Sequence, residues 1–134
     1  MASSTIRHLR FPFSFFLLPI FLSSVASADA MDFGLCIRSF LIIHLLLYPA
    51  SQGFNSWFDR DTGPIGGLEH PPPVDRNLLG VSLLLDLVAL AAGYYLVGRL
   101  FALGLLIYGL ASKLYSWNVT RLKARPIEGW LMTG

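Results

Sequence analysis

Charged residues are scarce in this sequence, and cysteine is nearly absent. Only 13% of the 134 residues are charged, roughly half the share of an ordinary soluble domain, while 54% are hydrophobic and the mean hydropathy is +0.61. Cys36 is the single cysteine, so no internal disulfide can form, and a packed thiol is the favoured interpretation. The net charge of +2 is too small to indicate nucleic acid as a partner. The composition therefore predicts an integral membrane protein.

The sequence contains several long runs of apolar residues. Four of them are long enough to cross a bilayer as helices, at residues 11–28, 33–58, 77–98 and 100–117. We therefore predict an all-α fold, a multi-pass transmembrane helix bundle of about four helices. The first run also fits a signal peptide with Ala26-Ser27-Ala28 as its cleavage site, although a retained helix is favoured.

Basic residues are distributed unevenly between the ends of these runs. On a four-helix path, the basic residues within 7–10, 60–76 and 113–125 lie on one side of the membrane, whereas the other side has only Arg38 and Arg99. The positive-inside rule makes the first side cytoplasmic. The prediction therefore places the N-terminus, the C-terminus and the 60–76 loop on the cytoplasmic side.

A polar stripe begins near the end of the second run. Tyr48, Gln52, Asn55 and Asp59 are spaced four, three and four residues apart, so a helix places them on one face. Such a face is expected to point into a bundle, because unpaired polar groups are costly in hydrocarbon. The following loop, residues 60–76, is rich in glycine and proline. It is either a functional lid, which we favour, or a flexible connector.

Two carboxylates lie at the end of this stripe. Asp59 and Asp61, together with the amide of Asn55, offer the hard oxygen ligands that suit Mg²⁺ holding a phosphate group. Residues two positions apart point about 200° apart on a continuous helix. The two carboxylates can therefore share a ligand only if the helix ends or unwinds near Arg60, and the nearby Gly63 favours such an end.

The same segment resembles a motif of a known family. Residues 55–61, NSWFDRD, resemble the first Asp-rich motif of the UbiA superfamily of intramembrane prenyltransferases, and residues 115–123, YSWNVTRLK, resemble a later signature of that family. Ser56 and Gly63 stand where the family motif usually has aspartates. The family fold has nine transmembrane helices and a second Asp-rich motif, which this sequence does not contain. We interpret residues 1–134 as the N-terminal part of a UbiA-like prenyltransferase domain, with its Asp-motif loop at 55–76.

The resemblance implies an activity and a set of site residues. The family transfers a prenyl group from an isoprenoid diphosphate to an aromatic or other lipid-pathway acceptor, in a bacterial-type cytoplasmic membrane or in an organelle membrane. Mg²⁺ is the implied cofactor, with Asp59 and Asp61 as its ligands. The implied residues are Asn55, Asp59 and Asp61 for catalysis, and Tyr115, Arg121 and Lys123 for binding the diphosphate. Because the second acidic motif is missing, we expect these 134 residues alone to bind the diphosphate without transferring the prenyl group.

Two alternatives remain beside the prenyltransferase. The chain could be a non-catalytic truncated membrane protein, or one half of a protein that needs a partner chain. It could also be a small transporter or assembly factor that uses Asp86, which lies near the middle of the third apolar run. An ionisable group at that depth indicates either a functional site or a hydrogen-bonded packing contact, and the sequence favours neither.

Overall fold

Helices and loops make up the part of the chain that the structure describes. The computed structural model describes residues 2–117, and the all-α fold class predicted from the sequence is confirmed there. The elements are α1 (Ala2–Leu9), α2 (Phe11–Ser14), a 3₁₀ turn (Phe15–Leu17), α3 (Leu18–Ala26), α4 (Phe33–Ile42), a π turn (Ile43–Leu47), α5 (Tyr48–Asp59), α6 (Leu78–Leu96) and α7 (Arg99–Ser116).

Three helical stretches between residues 2 and 117 are long and apolar enough to cross a membrane: Ser4–Ala26, Phe33–Asp59 and Leu78–Leu96. Helix α7 is not among the three, and it carries Arg99 at its start and Lys113 near its end. A helical bundle is thus confirmed, while a fourth span and cytoplasmic termini stay predictions.

Arg10 interrupts the first helical stretch. Its backbone is left-handed, with φ 47° and ψ 48°, and it separates α1 from α2. Pro12 lies in the first turn of α2, and Pro19 lies in the first turn of α3. Proline is tolerated there because the first turn of a helix has no internal partner for its N–H groups. The predicted single run at 11–28 is therefore a series of short helices, preceded by a helix that the hydropathy pattern did not predict.

The second stretch is continuous from residue 33 to residue 59, one residue beyond the predicted 33–58, and it contains a π turn just before Pro49. In that turn the N–H of Tyr48 donates to the carbonyl oxygen of Ile43. The carbonyl oxygen of His44 receives no backbone bond from Pro49, which has no N–H. The hydroxyl of Ser14 lies 2.9 Å from that oxygen and 2.7 Å from the carbonyl oxygen of Phe11, so its proton is shared between the two.

Helices α6 and α7 form an antiparallel hairpin, joined at Val97 and Gly98, and α5 packs against both. Gly53 permits a close approach of α5 to α6, because a Cβ atom there would clash with the hydroxyl of Ser82. A small apolar core of Ile42, Leu47, Ala89 and Leu105 lies where the π turn meets this hairpin. The hairpin thus holds α5, which carries the polar stripe, between two partners.

The 60–76 loop lies along α1. Four of its carbonyl oxygens accept hydrogen bonds from polar side chains near the N-terminus: Ser4 Oγ to Pro73 at 2.5 Å, Arg7 Nη2 to His70 at 3.3 Å, His8 Nε2 to Pro72 at 2.8 Å, and Arg10 Nη1 to Gly66 at 3.2 Å. A tight turn between Ile65 and Leu68 pairs their backbones in both directions. The loop is therefore fixed to α1 through residues 70–73 and to Arg10 through Gly66.

Candidate functional site

Helix α5 ends where the sequence prediction required. Asp59 is its last residue, and Arg60 has a left-handed backbone with φ 48°, whose N–H donates to the carbonyl oxygen of Ser56. A left-handed residue just past a helix is a common way to end it. Asp61 consequently lies beyond the helix, on an exposed part of the loop. The guanidinium of Arg60 lies over the ring of Trp57, 5.1 Å from its centre.

Most of the predicted polar stripe faces one cavity of about 230 Å³, which we call the polar cavity. It lies between α5 and α7, and Arg10 reaches it from the junction of α1 and α2. Its lining is Arg10, Tyr48, Ser51, Gln52, Asn55, Tyr108, Ser112, Tyr115 and Ser116. The predicted residues Asn55 and Tyr115 are therefore brought together.

Asn55 is fixed by a neighbour on α7. Its Oδ1 atom accepts a hydrogen bond of 2.9 Å from the hydroxyl of Ser116. This bond sets the orientation of the Asn55 amide. Its nitrogen carries the two N–H groups that can donate to an oxyanion. The rings of Tyr48 and Tyr108 meet edge to face, 5.6 Å apart, at the other end of the cavity.

Asp61 lines a different cavity from Asn55. This second cavity, of about 480 Å³, lies between the end of α5 and the loop, and it also contains Arg60, Arg76 and the ring of Trp57. Between residues 2 and 117, no group of three or more His, Cys, Asp or Glu side chains converges. The predicted diphosphate ligands Arg121 and Lys123 lie outside the described residues.

An apolar cavity of about 450 Å³ lies between α3, α4 and the start of α7. Phe21, Leu35, Ile43 and Phe101 contribute to its wall. Half-buried Cys36 also lines it, so this thiol borders a cavity instead of filling the core. Tyr48 lines both this cavity and the polar cavity. The two cavities therefore share Tyr48 as a wall residue, with the polar cavity on one side of it and the apolar cavity on the other.

The structure gives Asp86 a partner that the sequence analysis did not identify. Lys113 Nζ lies 2.5 Å from the carboxylate of Asp86, and the two side chains are only 20% and 13% exposed, respectively. The same ammonium group lies 3.4 Å from the carbonyl oxygen of Gly109 and 5.2 Å from the centre of the Phe54 ring.

Arg10 is the second residue whose role the sequence did not indicate. Its basic neighbours made it look like an ordinary membrane flank, yet it is only 8% exposed and lines the polar cavity. The signal in the sequence was Pro12, because proline suits the first turn of a helix and therefore favours a break just before that turn.

The chain was also compared with known proteins. No family model matches it, and neither the curated proteins nor the solved structures contain a match.

Proposed function

We propose that this chain is the part of a membrane-embedded prenyltransferase that binds the isoprenoid diphosphate. The observation that carries the proposal is the junction of the polar and apolar cavities at Tyr48. An isoprenoid diphosphate has a hydrophilic head and a hydrocarbon tail, so it needs a polar and an apolar compartment in direct contact. Together with the resemblance of residues 55–61 to the first Asp-rich motif, this arrangement favours a prenyl diphosphate over a purely polar ligand.

The head group is assigned to the α5 and α7 side of the site. The amide of Asn55 and the hydroxyl of Tyr115 are positioned to donate hydrogen bonds to phosphate oxygens. Ser116 keeps Asn55 oriented through its hydrogen bond of 2.9 Å. On this proposal, Arg121 and Lys123 add charge-assisted bonds to the same phosphates.

The residues at the end of α5 fit a magnesium ion by their chemistry. Asp59 and Asp61 supply carboxylate oxygens, and Mg²⁺ commonly takes one or two protein carboxylates and completes its shell with phosphate and water. The helix end at Asp59 releases Asp61 from the opposite face of the helix. When bound, the ion would neutralise the negative charge that develops on the departing diphosphate. Asn55 and the tyrosines would hold the phosphates while that charge develops.

The prenyl tail is assigned to the apolar cavity. Its wall carries phenylalanine, leucine and isoleucine side chains. Contact between these side chains and the hydrocarbon tail removes apolar surface from water, which is favourable. The ring of Tyr48 stands between head and tail, where an allylic carbon would lie, and an aromatic face can stabilise positive charge at that carbon. The acceptor is proposed to be aromatic or another lipid-pathway compound.

The proposed location is a cytoplasmic membrane of bacterial type, with several membrane passages and the 60–76 loop on the cytoplasmic side. The three long apolar helices support an integral membrane protein. The basic residues at 7–10 and 60–76 support this orientation, because both segments lie at the same end of the bundle and contact each other.

Binding of labelled geranyl diphosphate to the purified chain in lipid nanodiscs tests the proposal. We expect Mg²⁺ to strengthen binding and Asp59→Asn to remove that gain. Loss of one charged ligand corresponds to about 1.5–3 kcal/mol, roughly a tenfold to hundredfold weaker affinity. Asp29→Asn is the matched control, because Asp29 is an exposed acid in the turn between α3 and α4 and lines none of these cavities. Equal binding by all three proteins, with and without Mg²⁺, would refute the metal–diphosphate assignment.

A further inference from the structure

Arg10 is a buried cation that forms no ion pair with the residues the structure describes, although the charge of Asp61 acts on it from a longer distance. The only ion pair found among residues 2–117 joins Lys113 and Asp86. Arg10 is 8% exposed, its Nη1 donates to the carbonyl oxygen of Gly66, and its Nε is buried with no hydrogen-bond partner among those residues. Burying an unpaired charge is costly, so such a group is normally completed by a ligand or a partner.

The backbone of Arg10 adopts a strained conformation. Arg10 has φ 47°, a left-handed conformation that costs a residue with a side chain about 1–2 kcal/mol. The flanking helices α1 and α2 and the ring of Phe13, whose centre lies 5.4 Å from the guanidinium carbon, fix its direction. Strain of this kind persists where the surrounding structure determines the conformation, and it is concentrated at binding sites.

The chemistry of the polar cavity matches the charge of Arg10. Among the described residues that line the cavity, Arg10 is the only charged one, and the carboxylate that acts on it, Asp61, lines a different cavity. The other lining residues are three tyrosines, three serines, one glutamine and one asparagine, all of which can donate hydrogen bonds. A carboxylate has only two oxygens to accept from these donors, whereas a diphosphate has several. Guanidinium groups also match phosphate oxygens in planar, two-bond geometry.

We propose that the polar cavity binds a phosphate group without a metal ion and that Arg10 is the residue that supplies its countercharge. This proposal rests on the proposed function in one respect only, which is that an isoprenoid diphosphate supplies the phosphate group. Free pyrophosphate offers the same chemistry without the tail. Because Asp61 lines a separate cavity, the phosphate at Arg10 and the metal at the end of α5 are two distinct parts of head-group recognition.

The test measures pyrophosphate and geranyl diphosphate binding to the full chain in nanodiscs, in excess EDTA. We expect the wild type to bind both, and Arg10→Gln to weaken both by tenfold to a hundredfold. Arg7→Gln is the matched control. Arg7 also donates to a carbonyl of the loop, at 3.3 Å, and loses the same charge, but it does not line the cavity. Binding by Arg7→Gln should stay within twofold of wild type, and equal losses in both variants would overturn the proposal.

A second variant covers the possibility that Arg10→Gln does not fold. Ser112→Met places a larger side chain in the polar cavity from α7 and leaves Arg10 unchanged, and it should abolish pyrophosphate binding in EDTA. Wild-type affinity in Ser112→Met would refute the site.

The outcomes also separate this proposal from the proposed function. Binding that requires Mg²⁺ and Asp59, and is indifferent to Arg10, would refute the Arg10 site and leave the prenyltransferase assignment standing. Equal affinity for pyrophosphate and geranyl diphosphate, with dependence on Arg10, would support the site and refute the prenyl assignment.

Discussion

Replacing one member of the Asp86–Lys113 ion pair should cost far more stability than replacing both. The two side chains are 13% and 20% exposed, and they lie between α6 and α7 in a small cavity walled mainly by leucines. Breaking a buried pair typically costs about 3–5 kcal/mol, because the remaining charge is left without a partner. Since neither side chain is wholly buried, we expect the lower end, about 3 kcal/mol, for Asp86→Asn or Lys113→Met.

The double variant should recover most of this loss. Replacing a buried pair by uncharged groups of similar size is often close to neutral, so we expect Asp86→Asn with Lys113→Met to lie within about 1 kcal/mol of wild type. Lys113 also lies 5.2 Å from the centre of the Phe54 ring, and this cation–π contact, about 0.5–2 kcal/mol, is lost in both proteins that lack the lysine. It therefore does not contribute to the coupling between the two residues.

The assay is the free energy of unfolding in detergent micelles, followed by circular dichroism during a denaturant titration of all four proteins. We expect a coupling energy of at least about 2 kcal/mol from the double-mutant cycle. Additive losses, with coupling below about 0.5 kcal/mol, would refute the argument that the pair is buried and mutually dependent.

Other predictions concern packing, the apolar cavity and orientation. Gly53→Ala should lower stability by about 1–3 kcal/mol, because the new Cβ would clash with the hydroxyl of Ser82. Gly104→Ala should raise stability by about 0.5–1 kcal/mol, because a Cβ there meets no atom within 4 Å. Thermal unfolding measures both changes. Geranyl diphosphate, but not pyrophosphate, should slow maleimide alkylation of Cys36, and equal protection would contradict the placement of the tail. With Cys36→Ser, a cysteine at exposed Gly63 should react with an impermeant maleimide only from the cytoplasmic side; labelling from outside would reverse the orientation.

Hydropathy and helical spacing predicted the parts of the fold that depend on neighbouring residues. The end of α5 at Asp59 follows from local backbone preferences near Gly63, and the meeting of Asn55 with Tyr48 follows from positions on one helix face. Both features depend on residues close together in sequence. The all-α class follows in the same way from apolar runs that need no partner to be recognised.

Such local patterns could not predict contacts between residues that are distant in sequence. Nothing in the sequence around Lys113 indicates that its partner is Asp86, 27 residues earlier on another helix. The same holds for Arg10, whose burial depends on Gly66 and on the walls supplied by α5 and α7. The separate cavity of Asp61 was also missed, because motif spacing contains no information about how the loop folds back.

The attachment of the loop to α1 has a consequence for biosynthesis. The hydrogen-bond partners of Ser4, Arg7, His8 and Arg10 lie 56 to 69 residues later in the chain. Helix α1 is made before the loop, so its polar side chains must remain hydrated or bound to lipid head groups until α5 and the loop have left the ribosome. Cleavage after Ala28 would remove all four donors at once. Assembly of this end of the bundle is thus a late, post-insertion step, and the N-terminal segment is one of its structural components.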